Sequence, residues 1–193
     1  IDGQGYTVVF GTEESYGYLI EPEVRDKDGV SAAALTAEMT LYWRSKGKSL
    51  LDRLQELYRE HGYWQEIGIS KYFEGPQGPA IMAGIMAEYR KNPPQTLGGI
   101  RVSKVRDIQE SVWKYPDQPE KTDPVDLPKS NVLQFFLEDG TIVSARPSGT
   151  EPKIKFYASC CAPVENGNLE AARATVTAKL AAIEADIRKV IGN

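Results

Sequence analysis

The chain has 193 residues, 41% of them hydrophobic, with 23 Lys and Arg against 27 Asp and Glu and a net charge of −4. This length allows one large core or two small ones, and the charge excludes attachment to nucleic acid or anionic membrane through an overall field, so any anion site must be a local gathering of cations. No apolar run is long enough to span a bilayer, and the only cysteines, adjacent Cys160 and Cys161, exclude a disulfide framework and a cysteine-based zinc site, which fits a reducing, cytoplasmic setting.

Residues 6–10 (YTVVF) form a β-branched run that stops at Gly11, the pattern of a buried strand in an α/β sheet. The polar cluster 11–17 (GTEESYG) would then lie at the strand's carboxyl end, where open α/β sheets bind ligands, although an ordinary turn has the same composition. After Asp28-Gly29, Ser31 is placed to cap a helix running to about Arg44. Ser49 opens a second, with Leu50, Leu51, Leu54, Leu57 and Tyr58 as its apolar face and Gly62 as its stop. Both helices are expected to cover the sheet. The single histidine, His61, falls at the end of the second helix, where a polar or cationic side chain suits the C-terminal dipole, and reads as structural. An extended segment over 66–73 and a third helix over about 79–90 follow, ended by Asn92-Pro93-Pro94.

From Leu97 the pattern changes. Residues 100–108 (IRVSKVRDI) alternate apolar and charged side chains, as a strand with one solvated face does, so a second domain is placed from residue 95. The stretch 115–129 holds four prolines and several acids and predicts an irregular excursion. Residues 131–137 and 142–145 around Asp139-Gly140 predict a β-hairpin running into Arg146, residues 153–159 (KIKFYAS) another strand, and residues 169–190 an Ala-rich helix. The fold class is therefore α/β over residues 1–94 and α+β over 95–193, the latter a small antiparallel sheet packed with helices.

The loop 146–150 (RPSGT) gathers phosphate-binding chemistry. Arg146 can donate two parallel hydrogen bonds to phosphate oxygens, Ser148 and Thr150 one each, and Gly149 lets backbone N–H groups come close. Lys153 and Lys155, two apart on a predicted strand, share a face beside it. Ser-Gly-Thr is also routine turn material, so composition alone leaves both readings open.

The string RPSGTEPKIKFY resembles the phosphate-binding loop of the fourth domain of the alpha-D-phosphohexomutases, and GTEESYG resembles the sugar-binding loop of their third domain. The segments RDKDGVSAA and YFEGPQG are also similar to that family, particularly its phosphoglucomutase and phosphopentomutase branches, so the resemblance covers essentially the whole chain. It implies that residues 1–94 are the C-terminal part of the sugar-binding α/β domain 3 and residues 95–193 the phosphate-binding domain 4. Glu13 and Ser15 would hydrogen-bond sugar hydroxyls, with Glu14 holding the loop. Arg25 and Lys27 would face the substrate, Lys27 as an acid/base assistant if its pKa were lowered; a solvated charged turn is the alternative. Arg146, Ser148, Gly149 and Thr150, with Lys153 and Lys155, would hold the phosphate that is not being transferred.

The resemblance further implies a phosphoserine loop and a magnesium-holding DxDxD-type loop, and neither pattern occurs in this sequence. Asp26 and Asp28 are two apart with a lysine between them and no third aspartate, so no metal site is assigned there. With Ile1 in place of a methionine at the start, further N-terminal domains of the same polypeptide are expected, carrying Mg2+ and working through glucose 1,6-bisphosphate as intermediate and activator. The parent activity implied is the interconversion of glucose 1-phosphate and glucose 6-phosphate, with this chain alone binding phosphosugar without catalysis. Phosphomannomutase, phosphopentomutase and phosphoglucosamine mutase remain open as alternatives, as does a non-catalytic phosphosugar-binding module, because Glu13 and Ser15 would read hydroxyls shared by several sugars.

Overall fold

A computed structural model describes residues 5, 7–13, 17–20, 23, 26–149 and 151–192. These divide into two compact units, Ile1–Leu57 and Tyr58–Asn193.

In the first unit, β1 (Gly11–Glu13) and β2 (Gly17–Leu19) pair as an antiparallel hairpin with Glu13 opposite Gly17. Residues 7–10 of the apolar run before it are not strand and pair with no strand among the described residues, and Val9 and Phe10 stay exposed; Tyr6 lies outside the described residues. A β-rich sequence forms a strand only where a neighbour takes up its backbone hydrogen bonds. Helix α1 (Gly29–Ser45) is capped by Asp28 instead of Ser31, its carboxylate accepting from the Val30 and Ser31 N–H groups at 2.8 and 3.0 Å. The Asp28 N–H in turn donates to the Tyr18 carbonyl, which ties the helix start to β2. Helix α2 (Leu50–His61) begins with a reciprocal capping box: Ser49 N–H donates to the Asp52 carboxylate at 2.8 Å and Asp52 N–H to Ser49 Oγ at 3.1 Å. The expectation that these helices cover a sheet is not met among the described residues, because neither has a buried residue.

The second unit is an antiparallel sheet with one face packed by helices. Its strands are β3 (Tyr63–Tyr72), β4 (Thr96–Leu97), β5 (Ile100–Asp107), β6 (Val112–Tyr115), β7 (Gln118–Pro124), β8 (Leu133–Leu137), β9 (Ile142–Pro147) and β10 (Lys153–Ala162), in the spatial order β3-β10-β9-β8-β5-β6-β7, with β4 pairing β5 off that path. Helices α3 (Gly78–Lys91) and α4 (Leu169–Ile191) share the core with the strands. Strand β10 shows the logic: Ile154, Phe156, Ala158, Cys160 and Ala162 are buried and the residues between them are not. Met86 and Tyr89 of α3 and Val176, Leu180, Ile183 and Ile187 of α4 meet that row, with Val102, Val105, Phe135 and Val143 beside it. Each fully buried aliphatic or aromatic side chain contributes about 1.5–3 kcal/mol by leaving water.

β3 pairs with β10 along ten residues, Tyr63 to Tyr72 against Ala162 to Lys153, so β3 and α3 lie in the second compact unit. Two features depart from the sequence reading. The proline-rich stretch contains a strand, because β6 and β7 form a hairpin in which Tyr115 Oη donates to the Asp123 carboxylate at 2.7 Å. Pro119 and Pro124 are tolerated there because β7 is an edge strand that pairs on one side only. Strand β9 extends through Arg146 to Pro147, so the arginine is held by the sheet and not by the loop.

Candidate functional site

The connection from β9 to β10 is short and closed on itself. Ser148 N–H donates to the Lys153 carbonyl at 2.6 Å, Lys153 N–H to the Glu151 carbonyl at 2.7 Å, and Glu151 N–H to Ser148 Oγ at 3.3 Å. These bonds place Arg146, Ser148, Gly149, Lys153 and Lys155 at one end of the sheet; Thr150 lies outside the described residues. Antiparallel partners project to the same side, and Arg146 pairs with Lys155, so two cations stand side by side on the face away from the helices. Arg146 is exposed and no carboxylate pairs with its guanidinium among the described residues. A Cβ added at Gly149 would meet nothing within 4 Å, so the space over that peptide is open to a ligand.

Tyr72, the first residue of the YFEGPQG segment, belongs to this cluster. It sits opposite Lys153 in the β3–β10 register; the Lys153 ammonium lies 4.6 Å from its ring centroid and donates to Tyr72 Oη at 3.2 Å, while Tyr72 Oη donates to the Glu151 carboxylate at 3.3 Å. The pairing joins residues 81 positions apart, beyond the reach of any local pattern.

In the first unit, Glu13 at the end of β1 and Lys27 form an ion pair at 3.6 Å, and Lys27 is also 3.6 Å from the Asp26 carboxylate. The Lys27 N–H bond, with the lysine's charge, holds the Asp26 carboxyl below the usual 3.8. Gly17 is what lets this pair form, because a Cβ there would lie 2.4 Å from both Glu13 Oε1 and Lys27 Cδ. Ser15, Glu14 and Arg25 lie outside the described residues. Burial pushes the thiols of Cys160 and Cys161 up, which leaves both in the weakly nucleophilic protonated form at neutral pH.

Residues 2–61 match the family model for phosphoglucomutase/phosphomannomutase, alpha/beta/alpha domain III, and residues 90–176 match the model for the C-terminal domain of the same family. Phosphoglucomutase of Staphylococcus haemolyticus is 37% identical over 151 residues, which is 78% of this chain and 27% of the relative. Phosphoglucomutase of Staphylococcus aureus strain MRSA252 is 38% identical over 156 residues, 81% of this chain and 28% of the relative. The chain thus spans under a third of the length of these relatives. Among solved structures, the open form of pp63/parafusin from Paramecium, described as an exocytosis-sensitive phosphoprotein and phosphoglucomutase, matches at a TM-score of 0.52 and 16% identity over 93% of this chain and 30% of that one, a likeness of fold.

Proposed function

The chain belongs to the phosphoglucomutase/phosphomannomutase family, and we propose that it supplies the sugar- and phosphate-binding part of a phosphoglucomutase, an intramolecular phosphotransferase that interconverts glucose 1-phosphate and glucose 6-phosphate through a bisphosphorylated sugar. The observation that carries this reading is the placement of Arg146 directly opposite Lys155 beside the open backbone at Gly149. A phosphate dianion beside the two cations supplies the opposite charge together with acceptors for the guanidinium fork.

In this reading Arg146 takes two oxygens of the phosphate that is not transferred. Ser148, Gly149 and Thr150 complete the cradle, and Lys153 and Lys155 neutralise the remaining charge. Glu13 and Ser15 take the sugar hydroxyls, a recognition without net charge demand that suits a sugar bound in either orientation. Arg25 and Lys27 face the substrate, with Lys27 held by Glu13 as the acid/base assistant.

Phosphoryl transfer also needs a phosphoryl carrier and a metal that neutralises the moving group, and Mg2+ supplies that charge in the whole enzyme. The residues described in this chain do not fit the metal. Both carboxylate oxygens of Asp28 accept from the first turn of α1, Asp26 is engaged by the Lys27 N–H, and no group of three His, Cys, Asp or Glu among the described residues has metal-holding geometry. The phosphoserine, the metal ligands and the turnover of glucose 1,6-bisphosphate therefore belong, in this proposal, to N-terminal domains of the same polypeptide, and the chain by itself binds without turning over. Among the described residues no helix is long and apolar enough to cross a membrane; the cytoplasm is the compartment proposed.

Calorimetric titration of the chain with glucose 6-phosphate, glucose 1-phosphate and inorganic phosphate, beside Arg146→Ala, tests the reading. The expected result is saturable binding that is tighter for the sugar phosphates and at least tenfold weaker in the variant. Equal affinity in a folded variant would overturn the Arg146 loop as the site.

A further inference from the structure

The open face of the sheet carries a second pair of cations away from the Arg146 loop. In β5 the register against β8 shifts between Val102 and Lys104, and this bulge lets Val102 and Val105 both enter the core while Lys104 and Arg106 share the opposite face. Their heads converge on the same two rings. The Lys104 ammonium is 4.5 Å from the Trp113 centroid and 5.4 Å from that of Phe136, and the Arg106 guanidinium carbon is 5.2 and 5.4 Å from them.

The rings attract the cations through their electron-rich faces and cancel none of their charge. Arg106 is also fixed in place, because its Nε donates to Gln134 Oε1 at 2.8 Å and Gln134 Nε2 donates to Ser144 Oγ at 3.0 Å. A second guanidinium nitrogen donates to the same Gln134 oxygen, and the remaining donors of the fork are left for a ligand. Neither Lys104 nor Arg106 pairs with a carboxylate among the described residues, whereas the neighbouring cations do: Arg101 with Asp117 and Glu138, and Lys114 with Asp107 and Glu110. In a protein of net charge −4, acids are available to compensate exposed cations, and this pair is left uncompensated and rigid.

We propose that Lys104 and Arg106 form a second anion site, in which a phosphate monoester or inorganic phosphate is held by the Arg106 fork and the Lys104 ammonium beside Trp113. The site is separate from the Arg146 loop. Arg106 pairs with Gln134, and Gln134 with Ser144, two residues short of Arg146; two strand spacings and two residues put about 12 Å between the backbones of Arg106 and Arg146.

Titration of the chain carrying Arg146→Ala with inorganic phosphate and with glucose 6-phosphate isolates this site. The expected result is saturable binding at low ionic strength with a change in tryptophan emission, weakened at least tenfold when Lys104→Gln and Arg106→Gln are added. Trp113→Phe is expected to abolish the emission change and keep the heat. Each charge removal is expected to weaken binding on its own, so a double variant that fails to fold leaves the test standing. A folded Arg146→Ala chain that binds no phosphate, or binds it equally without Lys104 and Arg106, would overturn the second site. Failure of the Arg146 reading shows differently, as no change in affinity between the wild-type chain and Arg146→Ala.

Discussion

Arg146 and Lys155 stand opposite one another on the neighbouring antiparallel strands β9 and β10, on the face of the sheet away from α3 and α4. Like charges directly opposite one another on neighbouring strands are expected to repel. Arg146→Ala is therefore expected to leave the anion-free chain as stable as the wild type or slightly more so. A double-mutant cycle with Lys155→Ala, followed by urea unfolding at low ionic strength, is expected to give a repulsive coupling of about 0.2–1 kcal/mol that fades as salt is added.

Two glycines are expected to behave in opposite ways. Gly17→Ala introduces a Cβ 2.4 Å from Glu13 Oε1 and Lys27 Cδ, atoms at the ends of flexible side chains, so the melting temperature changes little while the Glu13–Lys27 pair is displaced. Binding of glucose 6-phosphate then falls and binding of inorganic phosphate does not. Gly149→Ala meets nothing within 4 Å and folds normally, and its loss is expected in phosphate affinity itself. Calorimetry with the two ligands separates these outcomes.

Asp107 is fully buried between Arg90 Nε at 3.3 Å and Lys114 Nζ at 3.2 Å, and so ties the end of α3 to β5 and β6. Removing one member of a buried ion network strands the others. Asp107→Ala is expected to cost about 3–5 kcal/mol in urea unfolding. Glu110→Ala, which removes an exposed partner of Lys114, is expected to cost at most about 1 kcal/mol.

Tyr89 of α3 packs against Phe135 and Phe156, with centroids 5.5 and 6.0 Å away, and burial together with the Asp186 charge pushes its phenol from 10.0 up to about 12. The folded state thus holds this proton more tightly than the unfolded chain. The associated stability is fully present below pH 10 and is lost as pH rises toward 12. Urea midpoints measured from pH 9 to 12 are expected to fall less steeply for Tyr89→Phe, which keeps the ring and removes the titrating group. An unchanged slope would remove Tyr89 from the alkaline transition.

Much of this protein was legible locally. The strand over residues 100–107 appears as alternation, that over 153–159 as a β-prone run, the turn at Asp139-Gly140 as composition, and the second helix start as Ser49. The loop beginning at Arg146 shows its cation and hydroxyls in the residue types, which by composition alone also suit an ordinary turn, and the face shared by Lys153 and Lys155 follows from the two-residue period of a strand. The misjudged elements were those whose fate depends on a neighbour: residues 7–10, which find no strand to pair with, and the prolines of β7, which an edge position tolerates.

The sequence by itself determined where the chain could be helix, strand or turn, because propensity, capping and periodicity act within a few residues, and its short motifs carried the resemblance to the family. Only the tertiary structure decided which residues became neighbours. It paired β3 with β10 and so carried Tyr72 to Lys153, set Arg146 against Lys155, and inserted the bulge that turns Lys104 and Arg106 onto one open face. Strand register is fixed by burying one face of each strand against a core assembled from distant segments, and a shift of one residue reverses every side chain.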